Sequence, residues 1–192
     1  MRERVERLIE RRGVTTSFLW GFSEATLFFF VPDIAVGAVA LYGWRRGVRA
    51  AAAAIGGAVL GGLVMYAVAR GAGPGIRDVL SGLPAIPDRF FGEASSAIAE
   101  QGGTSLIHAP ARGIPYKLYA AEWALGGGNP VVLALWTVPA RAARIVPTAL
   151  LASLGALVWR RLFGPDRRGL LLAVYALVWV VVYVVYFAKV GF

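Results

Sequence analysis

The chain has 192 residues, 58% of them hydrophobic and only 16% charged, against the roughly 25% charge of an ordinary water-facing domain. It has no cysteine, which excludes disulfides and thiolate metal sites, and one histidine, His108, which excludes a multi-histidine centre within one chain. The net charge of +9 would raise nucleic acid as a partner. The arginines cluster beside apolar runs, however, which favours membrane topology and anionic lipid instead.

Residues 1–13 begin MRERVERLIERR, with Val5, Leu8 and Ile9 at roughly helical spacing. They read either as a short amphipathic helix on the membrane surface or as an exposed polar start. A basic start, an apolar run and Ala38-Val-Ala40 resemble a signal peptide. Glu24 and Asp33 in or beside the apolar run argue against cleavage.

Residues 14–43 form a first broken apolar segment, interrupted at Pro32-Asp33. Proline removes a backbone donor and breaks a helix. Such a segment can dip into the bilayer and return as a re-entrant hairpin if protein buries its backbone. Arginines at 2, 4, 7, 11 and 12 precede it and Arg45, Arg46 and Arg49 follow it, so both flanks read as cytoplasmic. Residues 50–70 read as a crossing helix, with Gly57 and Gly61 spaced for close helix packing. Residues 71–103 are richer in glycine, proline and acid, which suits the outer side, and 88–100 read as an interfacial helix.

Residues 104–128 form a second broken segment, with Pro110, Gly113 and Pro115. Residues 131–159 read as a second crossing helix with a kink or break expected near Pro139. Arg160, Arg161, Arg167 and Arg168 mark a cytoplasmic loop, and 169–189 as a final membrane helix. Trp44, Trp159 and Trp179 are candidate interface residues. Pro32 lies eleven residues before Gly43, and Pro115 eleven before Gly126. The expected fold is therefore all-α. It is a polytopic membrane protein with two re-entrant helical hairpins, in an inverted-repeat arrangement like that of some transporters, plus about three transmembrane helices.

Intramembrane charge is costly, roughly 2.5–3.5 kcal/mol at a helix centre on insertion scales, so such residues need partners or water. The candidates are Glu24 and Asp33 in the first broken segment, Arg112, Lys117 and Glu122 in the second, and Arg141 and Arg144 beyond it. Acids come mainly from the first hairpin and bases mainly from the second. Basic side chains beside broken-helix N-termini suit an anion such as phosphate. A carboxylate in a low-dielectric place can take up a proton. Together they point to an anionic headgroup site coupled to, or gated by, protonation. The competing interpretation is an ion-pair network that holds the hairpins together. His108 is a candidate for pH sensing. No Ser-His-Asp arrangement, phosphate-binding glycine motif or DNA-reading element is visible, so the chain reads as a non-enzyme without cofactor or metal.

The stretches FSEATLFFFVPD (22–33), GAVLGGLVMYAVAR (57–70) and GIPYKLYAAEWALGGG (113–128) resemble the DedA superfamily, also called the VTT-domain or SNARE-associated Golgi protein family. ARAARIVPTALLASL (140–154) resembles the arginine-containing stretch of its short, YqaA-like branch. The resemblance covers about residues 15–160 and frames 14–161 as one membrane domain. It implies facing re-entrant hairpins, an inner-membrane location with a cytoplasmic N-terminus, and lipid-linked transport. Bacterial members are implicated in returning undecaprenyl phosphate across the membrane, some with proton dependence, and eukaryotic relatives in phospholipid scrambling. On this resemblance Arg112, Lys117 and Arg144 take the family's basic positions, with Arg141 beside them, to hold the phosphate. Glu24 and Asp33 take the acidic positions, as proton sites or counter-ions. Tyr116 stands where the family has glycine, and Glu122 is an additional acid. The expected function is a lipid-phosphate flippase; the alternatives are a proton-coupled carrier of a small solute or drug and a non-transporting scaffold. Expected partners are membrane lipid and protons, with homo-oligomerisation left open.

Overall fold

The structure, a computed structural model, describes residues 2–28, 30–84, 86–164 and 167–190. The amphipathic character expected of residues 1–13 rests on side chains that, up to Arg11, lie outside this description. Among the described residues the fold is all helical: α1 (Arg2–Thr26), α2 (Asp33–Ala40), α3 (Trp44–Ala72), α4 (Ile76–Ser81), α5 (Arg89–Gln101), α6 (Ser105–His108), α7 (Tyr116–Leu125), α8 (Pro130–Phe163) and α9 (Arg168–Val190). Short 3-10 turns at Gly73–Gly75, Gly102–Thr104 and Ala109–Arg112 link the smaller pieces. Three helical stretches are long and apolar enough to cross a membrane: Trp44–Ser81, Pro130–Phe163 and Gly169–Ala188.

No separate N-terminal helix exists, because α1 runs unbroken from Arg2 through Gly13 to Thr26. It stops where local hydrogen bonds replace the helical ladder. Leu27 N–H still bonds the Ser23 carbonyl four residues back, but Phe28 N–H bonds that same carbonyl five back, and the Trp20 indole N–H donates to the Phe30 carbonyl at 2.9 Å. Pro32, with φ −67°, opens α2. Gly13 packs against Val39, so α2 doubles back along α1 as a helical hairpin. Gly43, at φ 135°, supplies the left-handed corner into α3.

The glycine face expected on residues 50–70 is used. A Cβ at Gly57 would run into the Phe18 carbonyl, one at Gly61 into the Phe22 carbonyl, and one at Gly21 into the Ala54 carbonyl. Helices approach this closely only through residues without side-chain bulk. The helix itself begins earlier than expected, at Trp44, because nothing before Ala50 breaks it.

α7 lies along α3 in the same direction. The Tyr116 hydroxyl sits against Gly62, Arg70 donates to the Ala124 carbonyl at 3.2 Å, and the Tyr66 hydroxyl donates to Gly128 at 2.8 Å. Asn129 then caps α8 by accepting from the N–H groups of Val131 and Val132. α8 returns antiparallel to α3, and Ser153 donates to the Ala40 carbonyl near Gly47. Of the kink or break expected near Pro139, a break does not occur; α8 is helical across both Pro139 and Pro147. Both prolines lie on its exposed side, eight residues apart and so on one face. The lost bonds therefore fall away from the packed face, and the remaining ladder holds the helix. α5 forms at 89–101, close to the 88–100 expected from sequence.

The two breaks come together at one level. Ala25 at the end of the first limb packs on Gly61, and Tyr116 at the start of the second packs beside Gly62. From that level α2 leads back to the Trp44 end of α3, and α7 leads on to its Ala72 end.

Candidate functional site

Between the breaks lies a cavity of about 230 Å³. Glu24, Lys117, Arg141 and Arg144 line it together with Tyr116, the Gly113–Pro115 break and a face of α9. Glu24 comes from the last turn of α1, Lys117 from the first turn of α7, and the two arginines from the middle of α8.

Glu24 is 5% exposed and Arg141 4%. The Arg141 Nη2 donates to Glu24 Oε2 at 2.5 Å, a short charge-assisted bond. The Arg141 guanidinium also stands over the Tyr116 ring, 4.3 Å from its centroid, within cation–π range. The Tyr116 hydroxyl is held by Thr137 at 2.5 Å, and Thr137 donates to the Leu133 carbonyl at 2.7 Å. Arg144 Nη2 lies 3.0 Å from Asp33 Oδ2. The Thr148 hydroxyl donates to Asp33 Oδ1 at 3.0 Å.

Lys117 is 1% exposed and donates to the Phe28 carbonyl at 2.8 Å. That carbonyl lies in the first break, where α1 has ended and no helical N–H is available to it. Lys117 thus ties the second break directly to the first.

Not every donor is used. Arg141 Nε and both Nε and Nη2 of Arg144 are buried without a hydrogen-bond acceptor, and Asp33 Oδ2 is buried without a donor. The Arg144–Asp33 contact is therefore a close charge pair outside hydrogen-bond geometry. Buried polar atoms normally find partners. These atoms are enclosed by protein, so they are unsatisfied groups of the packed ion-pair cluster beside the cavity. Three cations face two carboxylates here, which leaves a net positive site.

The structure brings Glu24, Lys117, Arg141 and Arg144 to one cavity, with Asp33 directly behind it. It does not bring the other candidates there. Arg112 is exposed and borders a surface depression with Glu93, Ser96 and Glu100. Glu122 is 4% exposed and takes a bidentate pair from Arg77, at 2.8 and 2.7 Å. His108 is exposed, with Nδ1 3.3 Å from Gln101 Oε1. Trp179, a candidate interface residue by sequence, lines the cavity.

The acids of the first hairpin pair with α8 rather than with the second hairpin. One signal in the sequence marks this. Thr137, Arg141, Arg144 and Thr148 recur at intervals of four, three and four, a polar stripe through the middle of a mostly apolar helix. Nothing in the local sequence marks Tyr175 and Tyr183, which reach the first break from α9. The Tyr175 hydroxyl donates toward the carbonyls of Asp33 and Ile34, each at 3.0 Å, and the Tyr183 oxygen accepts the Val31 N–H at 2.8 Å. Comparison with protein-family models, with curated proteins and with solved structures finds no match.

Proposed function

We propose that this chain carries an anionic lipid headgroup, a polyprenyl phosphate or phospholipid phosphate, across a cytoplasmic membrane whose inner face holds its N-terminus. The observation that supports this most is the convergence of Lys117, Arg141 and Arg144 on one cavity, against the carboxylates of Glu24 and Asp33. A phosphate oxygen is a suitable acceptor, and arginine forks match it geometrically. The resemblance of the two broken stretches to the DedA superfamily supports the same reading.

In this reading the two hairpins are re-entrant and enter from opposite sides. The site lies where they meet, as in carriers built from broken helices. Empty, Arg141 is held by Glu24. A phosphate competes with Glu24 for Arg141, and a proton on Glu24 releases the arginine to the incoming anion. Loading and protonation then favour each other, which couples the lipid to protons. Lys117 and Arg144 complete the charge around the phosphate.

The test is headgroup translocation in proteoliposomes. Arg144→Gln should abolish it while the protein stays folded, and Arg112→Ala, outside the cavity, should leave it intact. Unchanged translocation in Arg144→Gln would sink the site. A purely structural ion-pair network predicts changes in unfolding temperature alone. A carrier of small solutes predicts uptake of a water-soluble anion with no lipid movement.

A further inference from the structure

The lining of the cavity is part charged and part apolar. The charged part is Glu24, Lys117, Arg141 and Arg144. The apolar part combines an inner wall that includes Ile86, Leu106 and Ile114 with a strip of α9 formed by Trp179, Val182, Tyr183 and Tyr186. Those four positions share one helix face. None of the most apolar stretch of α9, within Gly169–Ala188, is buried inside the protein. Among the described contacts, the hydroxyls of Tyr175 and Tyr183 join it to residues 31–34, and rings meet as in Phe30–Tyr183 at 4.8 Å. A membrane helix that closes a charged cavity with an aromatic and aliphatic face separates that cavity from lipid by a single layer of side chains.

We infer that this face of α9 is the binding site for the apolar chain of the ligand whose anionic end meets Arg141, Arg144 and Lys117, and that the chain enters between α9 and the first break. The inference rests on the carrier reading and adds where the apolar chain of the lipid lies and how it enters. The argument is one of complementarity. A small hydrophilic anion needs donors and water around it, and gains nothing from a wall of Trp179, Val182 and Tyr186. An amphiphile satisfies both kinds of lining at once and takes its apolar part from the bilayer, which α9 borders along its length. The tyrosine contacts lie at residues 31–34, on the Asp33 side of the cluster. Parting there opens the cavity sideways without disturbing the Glu24–Arg141 pair.

The absence of cysteine in the natural chain makes the test direct. The first probe is a long-chain alkyl phosphate with a photoreactive group at the chain end, added to proteoliposomes of the full chain. Adducts should map to Trp179, Val182 or Tyr186 and disappear in Arg144→Gln. Adducts spread over the outward residues of α8 and α9, such as Leu151 and Leu177, and indifferent to Arg144, would overturn the inference. Unlabelled polyprenyl phosphate and phosphatidic acid should compete for labelling, and the stronger competitor identifies the lipid source; inorganic phosphate competing equally well would also overturn it. The second probe is the variant Ile34→Cys with Tyr175→Cys, both outside the cavity lining. Bridging them with a short bismaleimide should stop translocation of the alkyl phosphate, while the unbridged pair modified with a monofunctional maleimide keeps it. A bridged protein that still translocates overturns the α9 route and leaves the carrier reading standing. A wild-type protein that neither translocates nor labels through Arg144 overturns both.

Discussion

Glu24 and Arg141 illustrate how a charge survives burial: each is almost wholly enclosed, and each has the other. Removing one member of such a pair leaves the other buried and uncompensated, at a cost of about 3–5 kcal/mol. Glu24→Gln should therefore lower the unfolding temperature in detergent markedly. The double variant Glu24→Gln with Arg141→Met should recover most of that loss, since an apolar replacement of both partners is often neutral, yet it should not translocate. Recovery of both stability and transport would mean that the pair is only a brace. Tyr116 separates two other roles. Tyr116→Phe loses the bond to Thr137, worth about 1 kcal/mol, and keeps the ring beneath Arg141. Tyr116→Leu loses the ring as well, and with it about 0.5–2 kcal/mol of cation–π attraction. Translocation should survive the first change and fall in the second.

At the scale of elements, α1 and α3 are held by an absence of side chains. Gly57→Ala places a methyl against the Phe18 carbonyl, and backbone cannot move aside as a side-chain end can. It should destabilise, within the roughly 0.5–3 kcal/mol usual for a disruptive single change. Gly71→Ala, in the same helix with nothing near it, should instead stabilise by about 0.5–1 kcal/mol through helix propensity. Equal effects at the two glycines would show that packing against α1 is not what Gly57 serves. Asn129→Ala removes the cap of α8 and should cost about 1 kcal/mol, read by thermal unfolding.

For the whole molecule, the directions of α3, α7 and α8 make a prediction about sides. The Trp44 end of α3 and the Phe163 end of α8 lie together, and the Ala72 end of α3 lies with the 126–129 turn. Single cysteines at Arg45 and Arg161 should react with a membrane-impermeant reagent from one side, and at Gly75 and Gly127 from the other. Labelling of Arg45→Cys and Gly127→Cys from the same side would refute this arrangement.

The membrane class, the two breaks and the glycine face of α3 were all legible in the sequence. Hydropathy, proline chemistry and four-residue spacing act within one segment and need no partner to be read. Arg141 and Arg144 were legible as expensive charges, and their stripe with Thr137 and Thr148 as a face. Which partners they take was not. Glu24 and Arg141 stand 117 residues apart, and burial forces every such charge to pair without saying with which. The composition of the second broken segment made Arg112 and Glu122 equal candidates with Lys117. Only the packing of α7 on α3 put Lys117 inside, turned Glu122 toward Arg77 and left Arg112 on the surface. The same holds for α9. Its sequence determined that it is long and apolar enough to cross a membrane, because an uncharged stretch of that length matches a bilayer core. That one of its faces closes a charged cavity was decided by tertiary structure alone, through hydroxyl contacts to residues more than 140 positions away.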